Sequence, residues 1–204
     1  MAVVAGLLFL AFVYFAVGQA AVLRNGGQTA ADAAALGAAQ DAREQLRDSW
    51  LDVMGDTSQW QPFLQGREYD EDRACQRAMA FASLNDAELL PEDCVPVDFG
   101  FSVTVQTVDT VGDSIVPGAD EQRATATASA VVEPLCSFEP PEPGTDPPTE
   151  PDPSSSPPGE PEEEDPGPIK GLICDGEAWE IDPEDPTLPG VDDLFRVRLT
   201  GDDE

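Results

Sequence analysis

From Met1 to Leu23 the chain carries no charged side chain, and Leu7, Leu8, Phe9, Leu10, Phe12, Val13, Tyr14, Phe15 and Val17 make a dense apolar centre. As a helix rising ~1.5 Å per residue, this run covers a hydrocarbon core of ~30 Å. Three readings fit it: a transmembrane anchor, a cleaved secretory signal, or a buried core helix. Ala16-Val17-Gly18 and Gly18-Gln19-Ala20 have the small residues of a cleavage site, but a signal peptide opens with a basic segment and no basic residue precedes Arg24. The anchor is therefore the expectation for residues 1–23. The missing basic flank is also what a chain starting inside a longer one would show.

The apolar period then changes. Ala35, Ala39, Ala42, Leu46, Trp50 and Val53 recur at spacings of three or four, which puts them on one helix face, and alanine dominates from Ala30 to Ala42. Thr29-Ala30-Ala31-Asp32 has the form of a capping box and Asn25-Gly26-Gly27 weakens a helix, so a fresh start or a kink near there is the alternative to one continuous helix. The simplest reading is one long helix from the membrane to about Val53, its juxtamembrane part filling residues 24–57. Its stripe of small residues, Ala35, Ala39 and Ala42 with Leu46, would let another helix approach closely. Contact with the protein's own domain is the alternative use of the same face.

Residues 58–138 read as an extracytoplasmic α+β domain. Trp60, Phe63 and Leu64 suggest a short amphipathic turn. Tyr69 to Leu90 reads as a helix ended by Pro91, with Ala74, Ala78, Phe81 and Ala82 and either Leu84 or Leu89 on its apolar side. From Phe99 the period becomes two, with Phe99, Phe101, Val103 and Val105 pointing one way; Ala124 to Val132 alternates likewise. A loop from Thr110 to Glu121 joins the two as an antiparallel hairpin, which needs a covering layer, and the N-terminal helices are available for it. Residues 139–168 are almost wholly Pro, Glu, Asp, Ser, Thr and Gly, the composition of an extended, disordered tether. The tail, residues 169–204, returns to short β-like runs too small to bury a core alone, so it is expected to dock on the main domain and add a strand to the hairpin.

Charge narrows the function. With 41 acidic and 10 basic residues and a formal net charge of −31, the chain is too acidic to bind nucleic acid, and overall electrostatics do not hold it to anionic lipid. It contains no histidine, which removes Ser-His-Asp and Cys-His catalysis and the commonest neutral metal ligand. Cys75, Cys94, Cys136 and Cys174 are even in number, widely spaced and without a Cys-x-x-Cys, so disulfides outside the cytoplasm are expected. This outweighs Arg24, which by the positive-inside rule would keep the C-terminal side in the cytoplasm. Cys75 and Cys94 flank the end of one helix, while Cys136 and Cys174 flank the tether, so the expected pairs are Cys75–Cys94 and Cys136–Cys174. Asp182, Glu184 and Asp185 are interrupted by Pro183 and Pro186 and lack the glycine-centred spacing of a calcium loop. Glu68, Asp70, Glu71 and Asp72 suit the positive end of a helix. No catalytic residue, metal site or cofactor site is expected.

The apolar segment followed by Leu23-Arg24-Asn25-Gly26-Gly27-Gln28-Thr29 and the stretch Ala31-Asp32-Ala33-Ala34-Ala35-Leu36 resembles the N-terminal signature of TadE/TadG-like proteins of the Tad (Flp) pilus system, particularly actinobacterial forms. The tail from Ile173 to Pro183 resembles streptomycete members. The likeness is concentrated in residues 1 to about 50. It implies a non-enzymatic, membrane-anchored minor pilin-like or pilus-assembly component, whose partners are the lipid bilayer through residues 1–23 and other pilus or secretion-machinery components through the N-terminal helix. An anchored extracytoplasmic binding protein or adhesin is the alternative, and a cell-envelope hydrolase would need convergent polar groups that the sequence does not advertise.

Overall fold

The structure, a computed structural model, describes residues 2–110, 122–140, 167–182 and 187–201, without the side chains of Ala2 and Ala16. The tether expected over 139–168 and the loop expected over Thr110–Glu121 therefore lie mostly outside the described residues, as do Glu184 and Asp185.

Helix α1, Ala2–Asp52, runs 51 residues without interruption through Gly26 and Gly27. No proline occurs before Pro62, and the alanine-rich stretch has the highest helix propensity available, so the backbone has no cause to break. Its C-terminal half is core: Ala30, Ala31, Ala34, Ala35, Ala38, Ala39, Ala42, Leu46 and Trp50 are all fully buried. That face is wider than a single stripe because α1 meets α3, Glu71–Leu84, and also the sheet strands β3, Gly100–Thr110, and β4, Arg123–Pro134.

A turn capped by Asp56 leads into α2, Trp60–Leu64, the expected amphipathic turn. Trp60 meets Trp50 edge-on at 5.2 Å and donates its indole N–H to the Val53 carbonyl at 3.2 Å, locking α2 onto the end of α1. The start of α3 is fixed twice. Asp70 accepts from the Arg73 backbone N–H at 3.0 Å, and the buried Gln45 of α1 both accepts from the Asp70 N–H at 2.8 Å and donates to the Asp70 carbonyl at 3.2 Å.

Helix α3 is shorter than its apolar period suggests, ending at Leu84 and not at Leu90. Asn85 caps it and Asp86 takes φ 55°, a left-handed turn that these residue types tolerate. The chain reverses there into β1, Ala87–Glu88, which pairs with β3. Leu84 is consequently exposed while Leu89, beyond the helix, is buried.

The main sheet is antiparallel. Strand β3 pairs with β1, with β2 (Cys94–Val97) and with β4, and β4 pairs on its other side with β8, Phe195–Thr200. The tail thus adds its strand to the hairpin as expected. Phe101, Val103 and Val105 face the helices, as do Ala128, Ala130 and Val132 of β4. Phe99 does not join them: it sits in the two-residue turn between β2 and β3 at φ 59°, half-exposed. Gly100 follows it because a Cβ there would collide with the Ala130 carbonyl oxygen. A second, unanticipated sheet joins β5, Cys136–Phe138, to β6, Ile169–Cys174, and β7, Glu177–Ile181. Phe138 meets Trp60 at 4.7 Å with the rings tilted by 58°, attaching that sheet to α2.

A Cβ on Gly37 would stand 2.6 Å from Cδ2 of Phe81, so Gly37→Leu should destabilise the domain by about 1–3 kcal/mol in urea unfolding, whereas Gly6→Leu, with open space around it, should leave the midpoint unchanged. Hydrogen bonds from the Ser58 hydroxyl, the Gln59 amide and the Ser58 backbone hold the Asp56 carboxyl below its ordinary value of 3.8. Because the folded value is depressed, the stabilisation is present above the unfolded value and is lost as pH falls through the folded one. A carboxyl titration followed by NMR should place the Asp56 midpoint below 3.8, and Ser58→Ala should raise it.

Candidate functional site

The same helix that forms the core leaves it at its N-terminal end. Val3 to Val22 present large apolar side chains to the outside, Tyr14 at 84% and Val3 at 76% of full exposure. Among the described residues this is the one helix long and apolar enough to cross a membrane. Exposing this much contiguous apolar surface to water is unfavourable at ~25 cal/mol per Å².

The change from exposed to buried occurs at Gly27, the first buried position of α1. A Cβ there would lie 3.3 Å from Cγ2 of Thr107 and 3.6 Å from Cβ of Ala124, so the missing side chain is what lets the ends of β3 and β4 rest on the helix. Gln28 ties the junction by donating to the Thr127 carbonyl of β4 at 3.5 Å, while within the helix it donates to the Asp32 carboxylate at 2.8 Å and the Thr29 hydroxyl donates back to the Asn25 carbonyl at 3.0 Å. Sequence reasoning treated these glycines only as weak points of a helix. The signal that marks Gly27 as a contact is its place in the spacing 27, 30, 34, 37 and 38, which continues the small-residue face toward the exposed apolar end, whereas Gly26 has open space around it.

Beyond the junction the hairpin end flanks the last turns of the apolar run and leaves a cleft on each side. One, of about 620 Å³, has Asp109 and Thr110 facing Tyr14, Phe15 and Val22. The other, of about 560 Å³, has Arg24 and Arg123 above Val17, Ala20 and Ala21. Both clefts straddle the boundary between apolar and polar surface.

The structure corrects the use expected for the helix stripe. Ala35, Ala39, Ala42 and Leu46 are fully buried against the protein's own α3 and sheet, so this face is not open to a second chain. The reason lies in the breadth of the alanine-rich surface: Ala31, Ala34 and Ala38 widen it enough for helix and sheet to pack on it together. All four cysteines are bonded, Cys75 to Cys94 and Cys136 to Cys174. The first bond staples α3 to β2; the second joins partners in register on β5 and β6.

The carboxylates noted in the sequence have local structural roles. Asp70 caps α3 with Glu71 and Asp72 in its first turn, and among the described residues no three Cys, Asp or Glu side chains gather as a metal set. Burial, with Glu71 nearby, raises the Tyr69 phenol above 10.0, so it stays neutral against Phe101 at 5.8 Å. Comparison with protein-family models, curated proteins and solved structures finds no match.

The second disulfide yields a direct test. A bond across 38 residues contributes about 4 kcal/mol in the chain-entropy model. A protease site placed at Ser154–Ser156 should give two fragments that migrate together without reductant and separate with it; Cys174→Ser should abolish that linkage and lower stability by a comparable amount.

Proposed function

We propose that this chain is a non-enzymatic, membrane-anchored component of a Tad/Flp-type pilus, minor pilin-like or acting in pilus assembly, with its α+β domain outside the cytoplasm. The observation that carries the anchor is the continuity of α1, whose exposed apolar half and buried half are one unbroken helix. Here the apolar run continues into the core without a break. The two disulfides favour an oxidising compartment for the domain, and with it the outward orientation.

The pilus reading rests on the resemblance of residues 1 to about 50. In this fold Ala31-Asp32-Ala33-Ala34-Ala35-Leu36 lies where the helix enters the domain, with Ala31, Ala34 and Ala35 buried. A signature of small residues at that place has a physical reason, because it lets the sheet and α3 close over the helix. Contact with other pilus components then falls to the exposed half, residues 3–22, which pairs with lipid or with other apolar helices.

Replacing Phe12 with Arg should add ~2.5–3.5 kcal/mol to insertion near the helix centre and shift the protein from the carbonate-washed membrane pellet to the supernatant. Wild-type protein in the supernatant would refute the anchor. A photo-crosslinker at the exposed Tyr14 should capture components of the pilus apparatus in the native cell, and adducts with lipid alone would count against the assembly role.

A further inference from the structure

The first acidic residue of the chain is Asp32, so Arg24 is the lone charge in the first 31 positions of a protein with net charge −31. Arg24 is exposed and makes no ion pair among the described residues, whereas six of the ten basic residues do. Folding brings a second guanidinium to it. Arg123, at the start of β4, lines the same cleft of about 560 Å³, with Asn25 and Gln122 as further donors. The floor of that cleft is apolar: Val17, Ala20 and Ala21 belong to the run that enters the membrane.

We propose that this cleft is a phospholipid site, in which Arg24 and Arg123 clamp the headgroup phosphate while the first carbons of an acyl chain lie along Val17, Ala20 and Ala21. It rests on the anchor reading above. A hydrocarbon core of ~30 Å takes about 20 helical residues at ~1.5 Å each, so the end of the run at Ala21 to Arg24, which the hairpin end flanks, lies at headgroup depth. A guanidinium there finds phosphate as its natural partner, and its planar donors match two phosphate oxygens at once. Among the described residues the acidic groups at the two clefts are Glu88, which reaches Arg123 at 3.8 Å with both side chains exposed, and Asp109, which lines the cleft on the other side of the helix. An exposed pair at that distance is weak and yields readily to a phosphate. The net charge of the whole protein opposes adsorption to anionic surfaces, so the clamp sets the depth and rotation of a helix already held by apolar burial.

Full-length protein reconstituted in nanodiscs of phosphatidylcholine doped with phosphatidylglycerol, then released in mild detergent for native mass spectrometry, reads the retained phospholipid directly. The wild type should retain one phospholipid. The double variant Arg24→Gln/Arg123→Gln should lose about tenfold in occupancy, the effect of removing charge-assisted hydrogen bonds, and Arg196→Gln on the distant strand β8 should retain lipid like the wild type. Both variants alter exposed side chains, and unchanged disulfides and unfolding midpoints would show the fold intact. Entry into nanodiscs with equal lipid retention by wild type and double variant overturns the clamp and leaves the anchor standing. Failure of the wild type to enter nanodiscs overturns both. Complete displacement of the lipid by inorganic phosphate would mean that the site takes a free anion, and would overturn the lipid assignment.

Discussion

Everything in this protein depends on how closely a sheet and a helix can approach one helix that has almost no side chains on its inner face. From Gly27 to Ala42 the buried positions of α1 are glycine and alanine, with the nearly buried Asp41 carboxylate at one edge. Alanine gives up no side-chain entropy on burial, so the close contact is reached at little conformational cost, and its high helix propensity keeps the backbone regular through the contact. The large side chains are supplied from the other layer, by Phe101, Val103 and Val105 of β3, and by Trp50 and Trp60 at the far end where α2 closes over. The interior thus joins the thin face of α1 to the alanines of β4 and the bulkier side chains of β3, which is why small changes on the helix have little room to relax.

This division explains how much of the fold was legible in the sequence. The uncharged N-terminal run, the long helix, the hairpin, the docking of the tail and both cysteine pairs follow from period, composition and chain order, because each is a local property or a simple consequence of proximity. The end of α3 was not legible: Leu89 continues an apolar helical period, and only the left-handed turn at Asp86 and the pairing of Ala87 with Thr107 show that it is buried from a strand. Phe99 was misplaced for a similar reason, since alternation alone does not reveal that its first member is in a turn. The sheet of β5, β6 and β7 was hidden because its strands are separated by the acidic proline-rich segment, and pairing across such a gap leaves no periodic trace.

For the site, the apolar face was plain and its geometry was not. A stripe of alanines reads equally as an interface with a second helix or as the floor of a core. What decides between them is the width of the small-residue surface together with sheet residues a hundred positions away, such as Ala124 against Gly27. Likewise Arg24 and Arg123 are unremarkable singly and acquire meaning only when the hairpin brings them to one cleft. The geometry of the junction and its clefts therefore rests on long-range contacts that leave the fold class untouched.

The pairing of Cys136 with Cys174 has a consequence for how such a chain can change. The strands on either side of the acidic segment are hydrogen-bonded in register and covalently joined, so both ends of the segment are held at one place whatever lies between them. Its length and composition are thereby uncoupled from the packing of the domain, since loop closure costs only ~0.6 kcal/mol for each doubling of length. Lengthening, shortening or recharging it should therefore cost the domain little, and a foreign domain grafted there would have both its termini already tied to a rigid base.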